Sequence, residues 1–282
     1  MRVPAVSDGV RYILIATFMF ALMQVGVKWL SHIPSHEIVT FRAVISLVVC
    51  WALLRRAGIS PWGNNRRWLI ARGAAGTVAL TLFFYTLQRM PLASAVTLQY
   101  LSPIFTVIIA GVMLNEPPRP IQWLFFAVSF AGVLLIKGFD PRVTPLDVGL
   151  GVVAASASGV AYNIIRKVRT DDHHLVVVFY FPLVTVPIIG TYTAFHWVMP
   201  SPVDWLVLLM IGICVTIAQI YMTRAYQAER AANISNFNYL GVVFALTFGL
   251  VIFGEHIEPL ALAGIALIII GTLLSSRYRR TE

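Results

Sequence analysis

Polar side chains recur at helical spacing inside long apolar stretches of this 282-residue chain, and its chemistry has to be sought there. Phe20, Gln24 and Lys28 follow one another four residues apart. Thr77, Thr81, Tyr85 and Gln88 do much the same, as do Ser156, Gly159, Asn163 and Lys167, and then Thr216, Gln219, Thr223 and Gln227. Residues three or four apart share one helix face, and a polar face turned to lipid is costly, so these faces belong in a bundle interior or a wet cavity. Amides, hydroxyls and phenols offer hydrogen bonds without net charge, which suits holding a polar solute. The candidate binding set is Gln24, Thr81, Tyr85, Gln99, Tyr100, Tyr162, Asn163, Gln219, Asn238 and Tyr239. Lys28 and Arg42 are candidates for a carboxylate contact or a gate. Snorkelling is the plainer role for Lys28, and pairing with Glu37, one turn away, is the plainer role for Arg42. Pro103 removes a backbone donor in mid-stretch and frees a carbonyl, so it is a candidate hinge. For any one polar residue the bland alternative is an interhelical hydrogen bond, worth about 0.6 kcal/mol on average.

The elements that must position these residues are membrane helices. The chain is 59% hydrophobic and 12% charged, against roughly 45–50% and 25% in soluble domains. Apolar stretches near the ~20 residues needed to cross a bilayer follow one another. They predict ten spans, near 9–31, 36–54, 68–88, 92–114, 120–137, 146–166, 174–198, 204–226, 231–253 and 258–276. The first is too long for a signal-peptide core and has no small-residue cleavage site before Lys28 and Trp29, so it is expected to stay. Cys50 and Cys214 fall inside spans without metal-ligand spacing, which argues against a zinc site or a disulfide framework. No cofactor or metal site is expected, and the Asp171-Asp172-His173-His174 cluster reads as a solvated loop. The formal net charge of +9 could suggest nucleic acid. With a cytoplasmic N-terminus, however, only Lys28, Arg42, Arg89, Lys137 and Arg142 of the 21 Lys and Arg lie in outer segments, and Arg72 counts with the inner ones. Basicity then reports orientation, and nucleic-acid binding is a poor reading.

A shift of 139 residues superposes the chain on itself. It pairs Glu116 with Glu255, Pro120 with Pro259, Lys28 with Lys167, Gly73 with Gly212, Thr77 with Thr216, Gln88 with Gln227, Tyr100 with Tyr239 and Gly132 with Gly271. Gln24 falls on Asn163 and Gln99 on Asn238, which predicts a polar lining drawn from both halves. Residues 1–138 and 139–282 then form two five-helix repeats within one membrane domain. An odd number of spans per repeat inverts the second against the first, the arrangement that provides alternating access around a midplane site. Pro182 and Pro187 stand where the first half has Ala43 and Val48, so spans two and seven need not play identical roles.

The residues resemble the drug/metabolite transporter superfamily, in its ten-helix EamA-type branch. The resemblance rests on Thr40-Phe41-Arg42, Gln88 to Ala93, Leu114-Asn115-Glu116 followed by Pro120, Phe253-Gly254-Glu255 followed by Pro259, and Gly264 to Gly271. It implies an all-α inner-membrane carrier with both termini cytoplasmic, most often exporting amino acids or related metabolites. Relatives also import metabolites or carry nucleotide sugars and organic acids, so import of a nucleoside-like or methyl-donor metabolite and export of an organic acid are the alternative expectations. The implied partners are a small-molecule substrate and the bilayer, with a homodimer left open. Glu116 and Glu255, at helix ends beside prolines, are expected to cap neighbouring helix N-termini.

A membrane-embedded enzyme is the alternative from another class, but the chain has no GxSxG elbow with a partnering His, no HExxH and no paired mid-span carboxylates. All twelve acidic residues fall in tails, loops or span ends. A cation at low dielectric needs a carboxylate, so a neutral or zwitterionic solute is expected and a lipophilic cation is not. A dicarboxylate would have to be held by Lys28, Arg42 or helix N-termini.

Overall fold

A computed structural model describes residues 8–113, 120–139, 142–168, 170–228, 240–256 and 258–278. The helices are α1 (Asp8–Trp29), α2 (Ser35–Arg56), α3 (Arg66–Arg89), α4 (Leu92–Gln99), α5 (Ser102–Met113), α6 (Pro120–Phe139), α7 (Pro145–Val168) and α8 (His174–Thr185). A π-helical segment (Val186–Gly190) follows, then α9 (Thr191–Phe195), α10 (Pro202–Ala228), α11 (Leu240–Phe253) and α12 (Pro259–Tyr278). Four of them begin at a proline, which sets φ for the first turn and lacks an N–H that would go unbonded there in any case. Among the described residues, seven spans are long and apolar enough to cross a membrane, with α4 and α5 forming one and α8 through α9 another. Pro120–Leu135, Leu240–Phe253 and Leu262–Gly271 are shorter apolar helices. The protein is therefore an all-helical, multi-span membrane protein. The predicted beginning of span nine lies outside the described residues, which resume at Leu240.

Exchanging residues 139 apart maps the packing onto itself. Helix α1 packs along α10, and its counterpart α7 packs along α3; α2 lies on α10 as α8 lies on α3; α5 meets α7 as α11 meets α1. The correspondence reaches single atoms. The Thr77 and Thr185 hydroxyls are 2.7 Å apart and those of Ser46 and Thr216 are 2.8 Å apart. The shift carries Thr77 to Thr216 and Ser46 to Thr185. Small residues make the close crossings, since lipid leaves van der Waals approach as a main source of helix association. A Cβ on Gly73 would stand 2.8 Å from the Tyr180 carbonyl oxygen of α8, and one on its counterpart Gly212 would meet Ile45 of α2 at 2.9 Å from its Cβ. Where α6 crosses α12, a Cβ on Gly132 would stand 2.5 Å from the Gly264 carbonyl oxygen, and one on Gly271 would stand 2.6 Å from that of Phe125.

Two spans are broken, each at a proline. Span four turns at Tyr100 and Leu101, where N–H groups bond back three residues: Tyr100 to the Thr97 oxygen, Leu101 to that of Leu98 and Ile104 to that of Leu101, each at 3.0 Å. This is 3₁₀ spacing, tighter than α. Pro103 follows directly and can donate nothing to the Gln99 carbonyl. Span seven holds Pro182 inside α8 and Pro187 in the π-helical segment, whereas α2 runs unbroken past Ala43 and Val48. Here the halves differ, as the proline pattern indicated.

Candidate functional site

Two arginines meet in the interior of the bundle. Arg42 is two turns into α2 and 2% exposed; Arg72 is six residues into α3 and 7% exposed. The 57–65 connection makes α2 and α3 enter from opposite ends, and both side chains converge on one ring of α8. The guanidinium carbons lie 4.8 Å (Arg42) and 5.5 Å (Arg72) from the Phe181 centroid, and Arg42 also reaches Phe84 at 5.8 Å. Gly76 makes room for that ring, since a Cβ there would stand 2.8 Å from Phe181 Cδ2. Nε and Nη1 of both arginines are buried without a hydrogen-bond partner, and neither residue joins an ion pair among the described residues. Ser46, Val178, Pro182, Thr216 and Gln219 complete the pocket wall, and Gln219 Oε1 is itself buried and unpartnered.

Each desolvated cation–π contact offsets ~2 kcal/mol, while removing an ion from water costs several kcal/mol. The rings soften that cost without cancelling it. Glu37, the expected partner of Arg42, turns elsewhere: its Oε2 accepts the Val198 N–H at 3.1 Å. The pairing expectation is therefore corrected, and Arg42 remains available to an anion. Arg72 was missed as a site residue because it was counted with the inner-loop charges. The signal was its place inside the predicted 68–88 span, beside Gly73 and Gly76. Phe181 and Ile211 occupy the second-half positions equivalent to Arg42 and Arg72, so one half alone supplies the charge.

At one end of the bundle a second buried charge cluster is fully paired. Lys28 Nζ lies 2.5 Å from Glu255 Oε1, donates to the Met90 carbonyl at 2.6 Å and sits 5.6 Å from the Phe253 ring centroid. Glu255 Oε2 accepts the N–H of Leu92, the first residue of α4, at 2.9 Å, which is the capping role expected of it. Gly254, at φ +61°, makes the turn that brings Glu255 back. Beside it, Gln88 Nε2 donates to the Leu30 and Ile33 carbonyls at 3.0 and 2.9 Å. The clamp ties α1, the α3–α4 junction and the α11–α12 turn together. Lys28 does not snorkel here, since its Nζ is taken up by Glu255 and the Met90 carbonyl. Glu116, the counterpart of Glu255, lies outside the described residues.

The EamA-like transporter family matches residues 8–138 and, a second time, residues 147–277. The chain belongs to that family. Among relatives, the pseudopaline exporter CntI of Pseudomonas aeruginosa is 29% identical over 287 residues, covering 99% of this chain and 100% of its own. Human solute carrier family 35 member G1 is 28% identical over 275 residues, covering 90% of this chain and 74% of its own. A solved crystal structure is similar over 97% of this chain and 98% of its own with TM-score 0.67; at 19% identity that likeness shows the fold. These findings make the chain a membrane transporter of small metabolites.

Within this EamA-family bundle the other candidate residues are dispersed. Asn163 is fully buried, and its Nδ2 donates to the Thr106 and Gly159 carbonyls at 2.9 and 3.0 Å, clamping α7 to α5. Gln99 Nε2 donates to Ser158 Oγ at 2.8 Å, joining α4 to α7. The Tyr100 hydroxyl packs against Gly241 of α11, and Tyr85 lies under Arg89, which pairs with Asp147 at 2.9 Å. Tyr162 is about one-third exposed and lies within electrostatic reach of Arg72. Gln24 Oε1 and Thr81 Oγ1 are buried without partners. Asn238 and Tyr239 lie outside the described residues. Of the candidates, the structure joins Arg42 and Gln219 in one pocket with Arg72; the pairing of Gln24 with Asn163 in sequence does not make them share a pocket wall.

Proposed function

We propose that this chain is a secondary transporter that exports a small polar metabolite of the amino-acid or organic-acid type by alternating access, with both termini in the cytoplasm. The observation that carries this reading is the buried polar pocket of Arg42, Arg72 and Gln219, set in a bundle whose main helix crossings correspond between its halves. Such a bundle has two related packings of the same parts, and a site between them can face either side in turn. The similarity to an exporter along the whole chain supports the direction. The clamp of Lys28, Glu255 and the Leu92 N–H supports closure of one end of the bundle.

Counterflow in proteoliposomes tests the mechanism. Vesicles loaded with unlabelled substrate should accumulate labelled substrate transiently, with saturation. Linear flux without exchange would point to a channel, and hydrolysis or transfer without flux to an enzyme. Reporter fusions should place the C-terminus inside and a fusion at His256 outside; an outside C-terminus would overturn the orientation.

A further inference from the structure

We propose that the Arg42–Arg72 pocket is the substrate site of this transporter and that it takes a small dicarboxylate, with two separate acidic groups on one skeleton. The inference rests on the transport reading and names its substrate class. Both guanidinium groups are more than nine-tenths buried, share the Phe181 ring and keep Nε and Nη1 unbonded. No described carboxylate pairs with either arginine, so the pocket carries two uncompensated positive charges. Uncompensated charge at low dielectric is costly, and a ligand that neutralises it recovers that cost on binding. A planar guanidinium fork matches a carboxylate by two parallel hydrogen bonds. A monocarboxylate offsets one cation only. A zwitterion also brings an ammonium group into a pocket whose wall of Arg42, Ser46, Arg72, Val178, Phe181, Pro182, Thr216 and Gln219 has no carboxylate to receive it. Two acidic groups on one small skeleton would satisfy both forks, and the pocket, which has room for about one water molecule as it stands, must widen between its helices to admit them; the unbonded Gln219 Oε1 lines the same wall.

Both cations belong to the first half of the chain, and the equivalent positions in the second half are a ring and an aliphatic side chain. The pocket is therefore one two-pronged anion site and not two related sites. It would hold a single ligand.

The test is ligand-dependent thermal stability of the intact protein in nanodiscs, a readout independent of flux or direction. Succinate and glutarate are the dicarboxylate probes, against leucine, choline and glycerol phosphate. The dicarboxylates should raise the melting temperature and the others should not. Arg42→Gln and Arg72→Gln should each weaken dicarboxylate binding by about tenfold or more, the scale of one lost charge-assisted bond. Without ligand, each variant should melt no lower than the parent, since each removes an unpaired buried charge. Arg42→Lys and Arg72→Lys keep the charge and guard against misfolding of the Gln forms; they should retain part of the succinate shift. Stabilisation by leucine with inert dicarboxylates would overturn the substrate class, as would preference for glycerol phosphate over both dicarboxylates. Gln variants that melt lower without ligand yet keep the full succinate shift would show the arginines to be structural. Dicarboxylate binding without counterflow would leave the site standing and defeat the transport reading.

Discussion

Two charge clusters of the bundle are treated in opposite ways. At one end, Lys28 and Glu255 pair at 2.5 Å, and the spare valences of both go to backbone: the Met90 carbonyl and the Leu92 N–H. In the interior, Arg42 and Arg72 share an aromatic ring and leave donors unbonded. The clamp is complete in itself and therefore contributes to holding helices together. The pocket is incomplete without a third party. Burial alone does not separate these roles, because the Lys28 and Glu255 side chains are only slightly more exposed than the arginines. The number of unsatisfied donors does.

The comparison is broken most severely at the clamp. Glu255→Ala strands Lys28 and uncaps α4, and should cost about 3 kcal/mol of stability, read as a lowered unfolding temperature in detergent. A Lys28→Met, Glu255→Gln pair should recover much of that loss, and a double-mutant cycle showing no coupling would mean that the clamp is not a unit. Asn163→Leu is the next largest, at about 1.5 kcal/mol, because it removes the amide's bond to the Thr106 carbonyl between α7 and α5. Arg72→Gln should move stability the other way, by about 1 kcal/mol in favour of the folded state, while counterflow falls; this opposition of sign sharpens the contrast with Glu255. Smallest are Ser46→Ala and Thr77→Ala, each removing one hydroxyl–hydroxyl contact worth about 0.6 kcal/mol. Since Thr77–Thr185 and Ser46–Thr216 correspond under the repeat, the two effects should agree, and a wide disagreement would break the equivalence of the halves.

Helix positions were legible in the sequence, because they depend on local pattern. The apolar runs that predict spans 36–54, 68–88 and 146–166 lie within α2, α3 and α7. The Thr77–Thr216 and Gly73–Gly212 pairings of the 139 shift recur as matching contacts at two crossings. The site was less legible, because it depends on which faces converge. Asn163 carries the right chemistry on a helical stripe, yet its Nδ2 is engaged by two carbonyls and only its buried Oδ1 is left unbonded. Lys28 and Arg42 looked alike as cations near the predicted outer side, and only the tertiary structure pairs one and leaves the other open. Arg72 lies inside its predicted span, but charge counting assigned it to a loop. Glu255 was readable because a capping carboxylate needs only a neighbouring helix start, and Pro91 with Leu92 announces one.

The loading of both guanidinium groups onto one half has an electrical consequence. Were the halves chemically alike, a bundle that maps onto itself by exchange would have two access states of equal energy. Arg42 and Arg72 have Phe181 and Ile211 as their counterparts, so under the proposed alternating access two access states would place fixed positive charge differently along the membrane normal. A full crossing of 100 mV is worth about 2.3 kcal/mol per charge, and even a fractional displacement of two charges biases the pair of states. Membrane voltage would then weight the empty carrier toward one side, and a bound dianion, by cancelling the moving charge, would release it from that bias.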